Sequence, residues 1–210
     1  MVERTARKPD FKSDIDKYGT WGESLFLNTY LESFTKKNYG VYNVSKDPFF
    51  QERDIDFVIA KKSLYGEDYD GLDNDKQFPD EFPEDIKELC IDPPDFEKVE
   101  VKVDTRTIDT GNIPYEMISH SQVGWCIVTK CDKVFFIIAR EDVNGLTPIR
   151  GLWLDMTKWR AFIDDKTTRK RSNFIKSENG IADLLCKVDD LRSYGVIISE
   201  KSFIAPNAAV

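Results

Sequence analysis

Apolar residues recur at helical spacing through Thr20–Lys37 (TWGESLFLNTYLESFTKK), with Phe26, Tyr30 and Phe34 at i, i+4 and Leu27 and Leu31 beside them. This stripe predicts an amphipathic helix with one face turned to a core. Thr20 and Glu23 have capping-box spacing and mark its expected start. Two β-patterns follow, Val41–Val44 and Asp54–Ala60 (DIDFVIA), joined by the connection SKDPFFQER. The pattern then lapses. Residues 61–97 are rich in Asp, Glu, Gly and Pro without a sustained period, as expected of a surface insertion, with a short helix expected at Glu84–Cys90. Strict alternation resumes in Val99–Val103, with Val99, Val101 and Val103 on one face and Glu100, Lys102 and Asp104 on the other. That predicts a strand with one buried face.

Beyond it, TRTIDTGN reads as a turn-rich loop, Ile113–Ile118 as extended, and Val123–Thr129 as helix or strand. Lys133–Ala139 and Leu152–Asp155 read as strands, the second leading into a helix over Thr157–Ile163 capped by Asp155 or Thr157. Asp164–Ser172 is a basic connection, and apolar positions 181, 184, 185, 188 and 191 predict a helix over Ile181–Tyr194. Helix, several strands, then helix predicts one α/β domain over residues 1–210, an α/β/α sandwich with a central mixed β-sheet.

Composition changes this picture little: 40% hydrophobic and 32% charged residues are ordinary for a folded domain. The longest apolar runs are too short to span a bilayer and the N-terminal stretch has no apolar h-region, so a cytoplasmic protein without membrane contact is expected. Cys90, Cys126, Cys131 and Cys186 form no CxxC pair, and His120 is the only histidine. Structural thiols are expected rather than a zinc site, and an isolated histidine is expected to be an ordinary hydrogen-bonding residue. Charge matters more. The net −8 argues against nucleic acid, yet residues 61–97 hold 13 acids and 4 lysines, leaving the remainder at +1. Acidity belongs to one segment, and basic patches elsewhere remain open to phosphate.

The candidate chemistry lies in PPDFEKVEVKVD, residues 93–104. Glu100 and Lys102, two apart in a strand, share a face, so a carboxylate that binds a hard cation stands beside an ammonium. A second carboxylate must come from another element. Asp95 follows two prolines too closely to return as a neighbouring strand. Asp56, in DIDFVI, belongs to a strand that can pair antiparallel with Val99–Val103; Asp54 is its competitor on the same face.

WGE at 21–23, VSKDPFFQERDIDFVI at 44–59, VEVKVD at 99–104, TGNIPYE at 110–116, CDKVFFI and LWLDMTKWRAFI follow in an order that resembles the PD-(D/E)xK nuclease superfamily. The likeness is to the small nucleases of phages and mobile elements, which include Holliday-junction-resolvase-like proteins. It departs in having Ile55-Asp56 for the usual Pro-Asp pair, and in its long insertion. The resemblance implies a restriction-endonuclease-like fold in a phage-encoded or bacterial protein and a magnesium-dependent DNA endonuclease, manganese being a possible substitute, acting on linear or branched DNA. Asp56 and Glu100 would hold the metal, with the Val101 carbonyl and Glu23 as further ligands, and Lys102 would orient or activate water. Gln51, Asn112 and Glu116 fall at polar motif positions, with Asn112 a candidate DNA contact. Lys166, Arg169, Lys170 and Arg171 would grip phosphates. Cutting both strands usually takes two sites, which is compatible with a homodimer. The rival expectations are a DNA-binding accessory protein without turnover, and an acidic interaction protein acting as a DNA mimic.

Overall fold

The computed structural model describes residues 11–61, 96–119, 122–170, 172–176 and 181–203. In chain order these form α1 (Phe11–Lys36), β1 (Tyr39–Asn43), the one-turn α2 (Pro48–Gln51), β2 (Phe57–Lys61) and β3 (Phe96–Asp104). The one-turn α3 (Thr107–Thr110), β4 (Asn112–Ser119), β5 (Gln122–Val123) and the one-turn α4 (Trp125–Val128) come next. Then follow β6 (Lys133–Asp142), β7 (Gly145–Asp155), α5 (Met156–Asp164), α6 (Lys166–Arg169), β8 (Asn173–Lys176), β9 (Ala182–Lys187), α7 (Val188–Tyr194) and β10 (Ile197–Ser202).

β3 lies inside a six-stranded mixed sheet ordered β1-β2-β3-β6-β7-β10. It pairs antiparallel with β2, Phe57 opposite Val99, and parallel with β6, Val101 opposite Phe135. A parallel pair needs a crossover. Here residues 105–132 supply it and carry β4, which joins β5, β9 and β8 in a second, four-stranded sheet. On one face of the large sheet α1 buries Phe26 against Phe57, Val99, Val101, Phe135 and Ile137. On the other, Phe136, Ile138, Leu152 and Leu154 pack with Trp159 and Phe162 of α5 and with Ile113, Tyr115, Leu184 and Cys186 of the small sheet. The fold is α/β with a mixed central sheet, and its second outer layer combines helix and sheet.

Several elements differ from expectation. α1 begins at Phe11, so Thr20 is inside the helix and cannot cap it; Ser24 Oγ donates to the Thr20 carbonyl at 2.8 Å instead. Glu23 is thereby released from a capping role. β2 starts at Phe57, leaving Asp54 and Asp56 before the strand, with Asp54 at a left-handed φ of 50°. Residues 181–194 are not one helix. Ala182, Leu184 and Cys186 alternate inward as β9, and only Val188–Tyr194 is helical, ending at Gly195 with φ 81°. Both faces of β3 are buried near Glu100, which is 4% exposed. Asp155 caps α5 as expected, accepting from the Lys158 N–H at 3.0 Å. Cys126, Cys131 and Cys186 are free and buried. Residues 62–95, with the expected helix at Glu84–Cys90 and the motif-like Asp95, lie outside the described residues, as do His120 and Arg171. Among the described residues no helix is long and apolar enough to cross a membrane.

Candidate active site

The register of β2 and β3 creates the site. Their pairing ends at Phe57 opposite Val99, while β3 continues along β6 to Asp104. Past Val99, the β2 side of β3 therefore lacks a strand partner. Asp56 takes its place: its N–H donates to the Val99 carbonyl at 3.0 Å, and its Oδ2 accepts the Val101 N–H at 2.8 Å. The Asp56 carbonyl accepts from Val44 N–H at 2.8 Å, so the residue is fixed on both sides. This side chain substitutes for ladder backbone, which explains a carboxylate just upstream of an apolar strand.

Around this gap a cleft of about 580 Å³ opens, lined among others by Glu23, Ser45, Asp54, Asp56, Glu100 and Lys102. α1 reaches it because Gly22 lets the helix lie against β3; a Cβ there would stand 2.6 Å from Val103 Cγ2. Glu23, the next residue, accepts from Ser45 Oγ at 2.7 Å. Gln51 Nε2 donates to the Ser45 carbonyl at 2.7 Å, holding the β1–α2 turn at the rim.

The electrostatics are concentrated on β3. Lys102 Nζ forms an ion pair with Glu100 Oε1, and the Trp125 ring lies 4.8 Å from the same ammonium. Glu100 Oε2 is buried and has no hydrogen-bond partner among the described residues. Burial pushes the Asp56 carboxyl well above its ordinary range; Glu100 and Glu23 add to this, while Lys102 and the Val101 N–H oppose it. Asp54 is raised by burial and by Glu100. At Lys102, burial works against the charged form, but Glu100, Asp56 and Asp54 outweigh it and raise the ammonium above its ordinary value. The cleft thus carries the buried Glu100 and the half-buried Asp54 and Asp56, with the Lys102 ammonium beside Glu100 and the exposed Lys46 also in the lining.

A hard divalent cation fits this donor set. The orphaned Glu100 oxygen calls for a partner, every nearby candidate donor is oxygen, and magnesium usually takes only one or two protein carboxylates. Among the described residues no group of three or more His, Cys, Asp and Glu side chains is placed to hold a metal ion. Water and a substrate phosphate would complete such a shell.

The cleft brings together Glu23, Asp54, Asp56, Glu100, Val101 and Lys102 and adds Ser45 and Lys46, with Trp125 outside the lining against the Lys102 ammonium; the sequence reading singled out none of these three for the site. Other expected residues stand apart. Asn112 Nδ2 is turned to the Thr110 carbonyl at 2.9 Å, a local contact away from the cleft lining. Glu116 Oε1 accepts from Trp125 N–H at 3.4 Å, behind α4. Lys166 and Lys170 are exposed at α6 and do not line the cleft, and the Arg169 side chain lies outside the described residues. No family model, no curated protein and no solved structure matches the chain.

Proposed function

We propose that the chain is a metal-dependent deoxyribonuclease of restriction-endonuclease-like fold, hydrolysing phosphodiester bonds of DNA with magnesium bound at Asp56 and Glu100. The observation that carries the proposal is the convergence of Asp56, Glu100 and Lys102 on one cleft, with a buried Glu100 oxygen lacking any partner among the described residues. The mixed sheet with α1 across one face and the antiparallel β2–β3 pair supports the fold assignment.

When bound, the cation would polarise the scissile phosphate and lower the pKa of a coordinated water. The residues do the rest. Asp56, pinned by the Val101 N–H, fixes one oxygen ligand relative to β3. Glu100 would supply the second, and Val101 and Glu23 line the same cleft. Lys102 acts as an ammonium. Paired with Glu100 at the cleft, it would orient water and stabilise charge developing on phosphate. The full chain is tested on linear, nicked, single-stranded and four-way-junction DNA, in magnesium and in EDTA. Cleavage in magnesium alone supports the proposal; binding without cleavage would make the protein an accessory factor, and neither binding nor cleavage would remove DNA as substrate.

A further inference from the structure

A second cavity lies on the α1 face of the large sheet, at the C-terminal end of the helix. Its volume is about 590 Å³, in the range of small-molecule sites, and it shares no lining residue with the cleft. Strand register places charge in it. Lys61, Glu97 and Lys133 are each two residues from Ile59, Val99 and Phe135 on their strands, so they point to the same α1 face. The walls are aromatic, with Tyr30 and Phe34 from α1, Tyr39 from β1 and Trp153 from β7. Phe34 meets Tyr39 at 72° and Trp153 at 82°, and Tyr30 meets Trp153 at 66°. Rings that meet edge to face leave part of each face uncovered, and Tyr30, Phe34 and Tyr39 are only half-buried. Three lysines and one carboxylate give the lining a net charge of +2 in a chain of −8. Lys133 is paired with Glu97, whereas Lys37 and Lys61 are exposed and make no ion pair among the described residues. Lys61 stands opposite Tyr39 in the β1–β2 pair, and Lys37 precedes Tyr39 by two residues, so both ammoniums belong to the same end of the cavity.

We infer that this cavity is a nucleotide-binding site, taking a base against the aromatic wall and its phosphate at Lys37 and Lys61. A separate feature selects each half of the ligand. Half-buried rings offer stacking surface to a planar base, whichever base it is. Unpaired ammoniums, compact charges on flexible stems, suit a phosphate. A bare anion would leave the rings facing water, and a neutral aromatic would leave both lysines unused. A free nucleotide and the terminal nucleotide of a strand present this same pair of groups. Neither feature depends on a metal at Asp56 and Glu100. Tyr30 lies two helical turns beyond Glu23 on α1, and the carboxylates of the cleft repel, in the absence of a cation, the phosphate that these lysines attract.

Calorimetric titration of the full chain in EDTA tests this with deoxyadenosine 5′-monophosphate, deoxyadenosine, deoxyribose 5-phosphate, inorganic phosphate and a 5′-phosphorylated trinucleotide. Wild-type protein binds one equivalent of the monophosphate, and binds deoxyadenosine and deoxyribose 5-phosphate about tenfold or more weakly. Lys37→Ala/Lys61→Ala weakens the monophosphate about tenfold or more, and Tyr39→Ser also weakens it. Lys158→Ala/Lys187→Ala, which removes the same charge from exposed positions on α5 and β9, keeps the wild-type affinity. Trinucleotide bound as tightly as the monophosphate or tighter supports the site and makes a strand end its ligand; weaker trinucleotide supports it with the free nucleotide as ligand. No binding of either by wild-type protein overturns the site. So does monophosphate affinity unchanged in Lys37→Ala/Lys61→Ala with its melting temperature preserved. Inorganic phosphate bound as tightly as the monophosphate reduces the cavity to an anion site and overturns the nucleotide. A wild-type dimer in sedimentation that Lys37→Ala/Lys61→Ala turns into a monomer assigns the cavity to a second copy and overturns it as well.

Discussion

At Asp56 burial, and at Lys102 the surrounding carboxylates, set the charge of single residues. The Asp56 carboxyl is pushed well above the ordinary 3.8, by burial first and by Glu100 next, against the pull of Lys102 and the Val101 N–H. Between the ordinary value and the raised one, the folded protein holds a proton that the unfolded chain has released. The associated stability is fully present below that window and is lost as pH rises through it. Asp56→Asn cannot ionise, so thermal scans in EDTA from acid to pH 8 should find it losing less stability than wild type as pH rises and melting higher at pH 8. Magnesium should then raise the wild-type melting temperature in a concentration-dependent way and leave Asp56→Asn nearly unmoved. Equal magnesium shifts in the two proteins would separate Asp56 from the metal. Removing Lys102 has a different signature, because it strips the buried Glu100 of an ion-pair partner. In EDTA, Lys102→Ala should lose roughly 1–3 kcal/mol in denaturant titration.

At the scale of elements, the site depends on how closely α1 approaches β3. Gly22→Ala would drive a methyl to 2.6 Å from Val103 Cγ2, and overpacking of this kind costs about 1–3 kcal/mol, read as a lowered denaturation midpoint. Its neighbour Glu23 would shift with the helix. The long amphipathic helix, the β2–β3 pair and the Glu100/Lys102 face could be read from the sequence because each has a sustained period or an unambiguous alternation. Residues 181–194 could not. Leu184, Leu185, Val188 and Leu191 satisfy a helical stripe, yet tertiary pairing of β9 with β4 used the competing alternation of Ala182, Leu184 and Cys186. α2, α3 and α4 are single turns, too short to display any period. At the site, the carboxylate pair was legible from residue types and strand order, but the placement of Asp56 was not. Its position depends on β2 stopping one residue short and on a side chain taking a ladder hydrogen bond, which no pattern of hydrophobicity records. Ser45 and Lys46 reach the cleft, and Trp125 the Lys102 ammonium, only through tertiary contacts.

For the whole molecule, the nuclease reading makes the acidic segment dispensable for cleavage. Ala60 and Phe96 are antiparallel neighbours, so the ends of β2 and β3 can be joined by a short connection. Deleting residues 65–92 removes 11 acids and 2 lysines and takes the chain from −8 to +1. The shortened protein should keep cooperative unfolding and magnesium-dependent cleavage, and should bind DNA more tightly, with the gain shrinking as salt is raised. Loss of DNA binding on deletion would instead make the acidic segment the functional surface. The central claim, that Asp56, Glu100 and Lys102 form one hydrolytic site, is tested most directly by the single-turnover cleavage rate on DNA for wild type, Asp56→Asn and Lys102→Ala, each shown to be folded, in magnesium and in EDTA. The account predicts magnesium-dependent cleavage by wild type, abolished by EDTA and slowed about 100-fold or more by either substitution. Undiminished magnesium-dependent cleavage in the folded variants would contradict it.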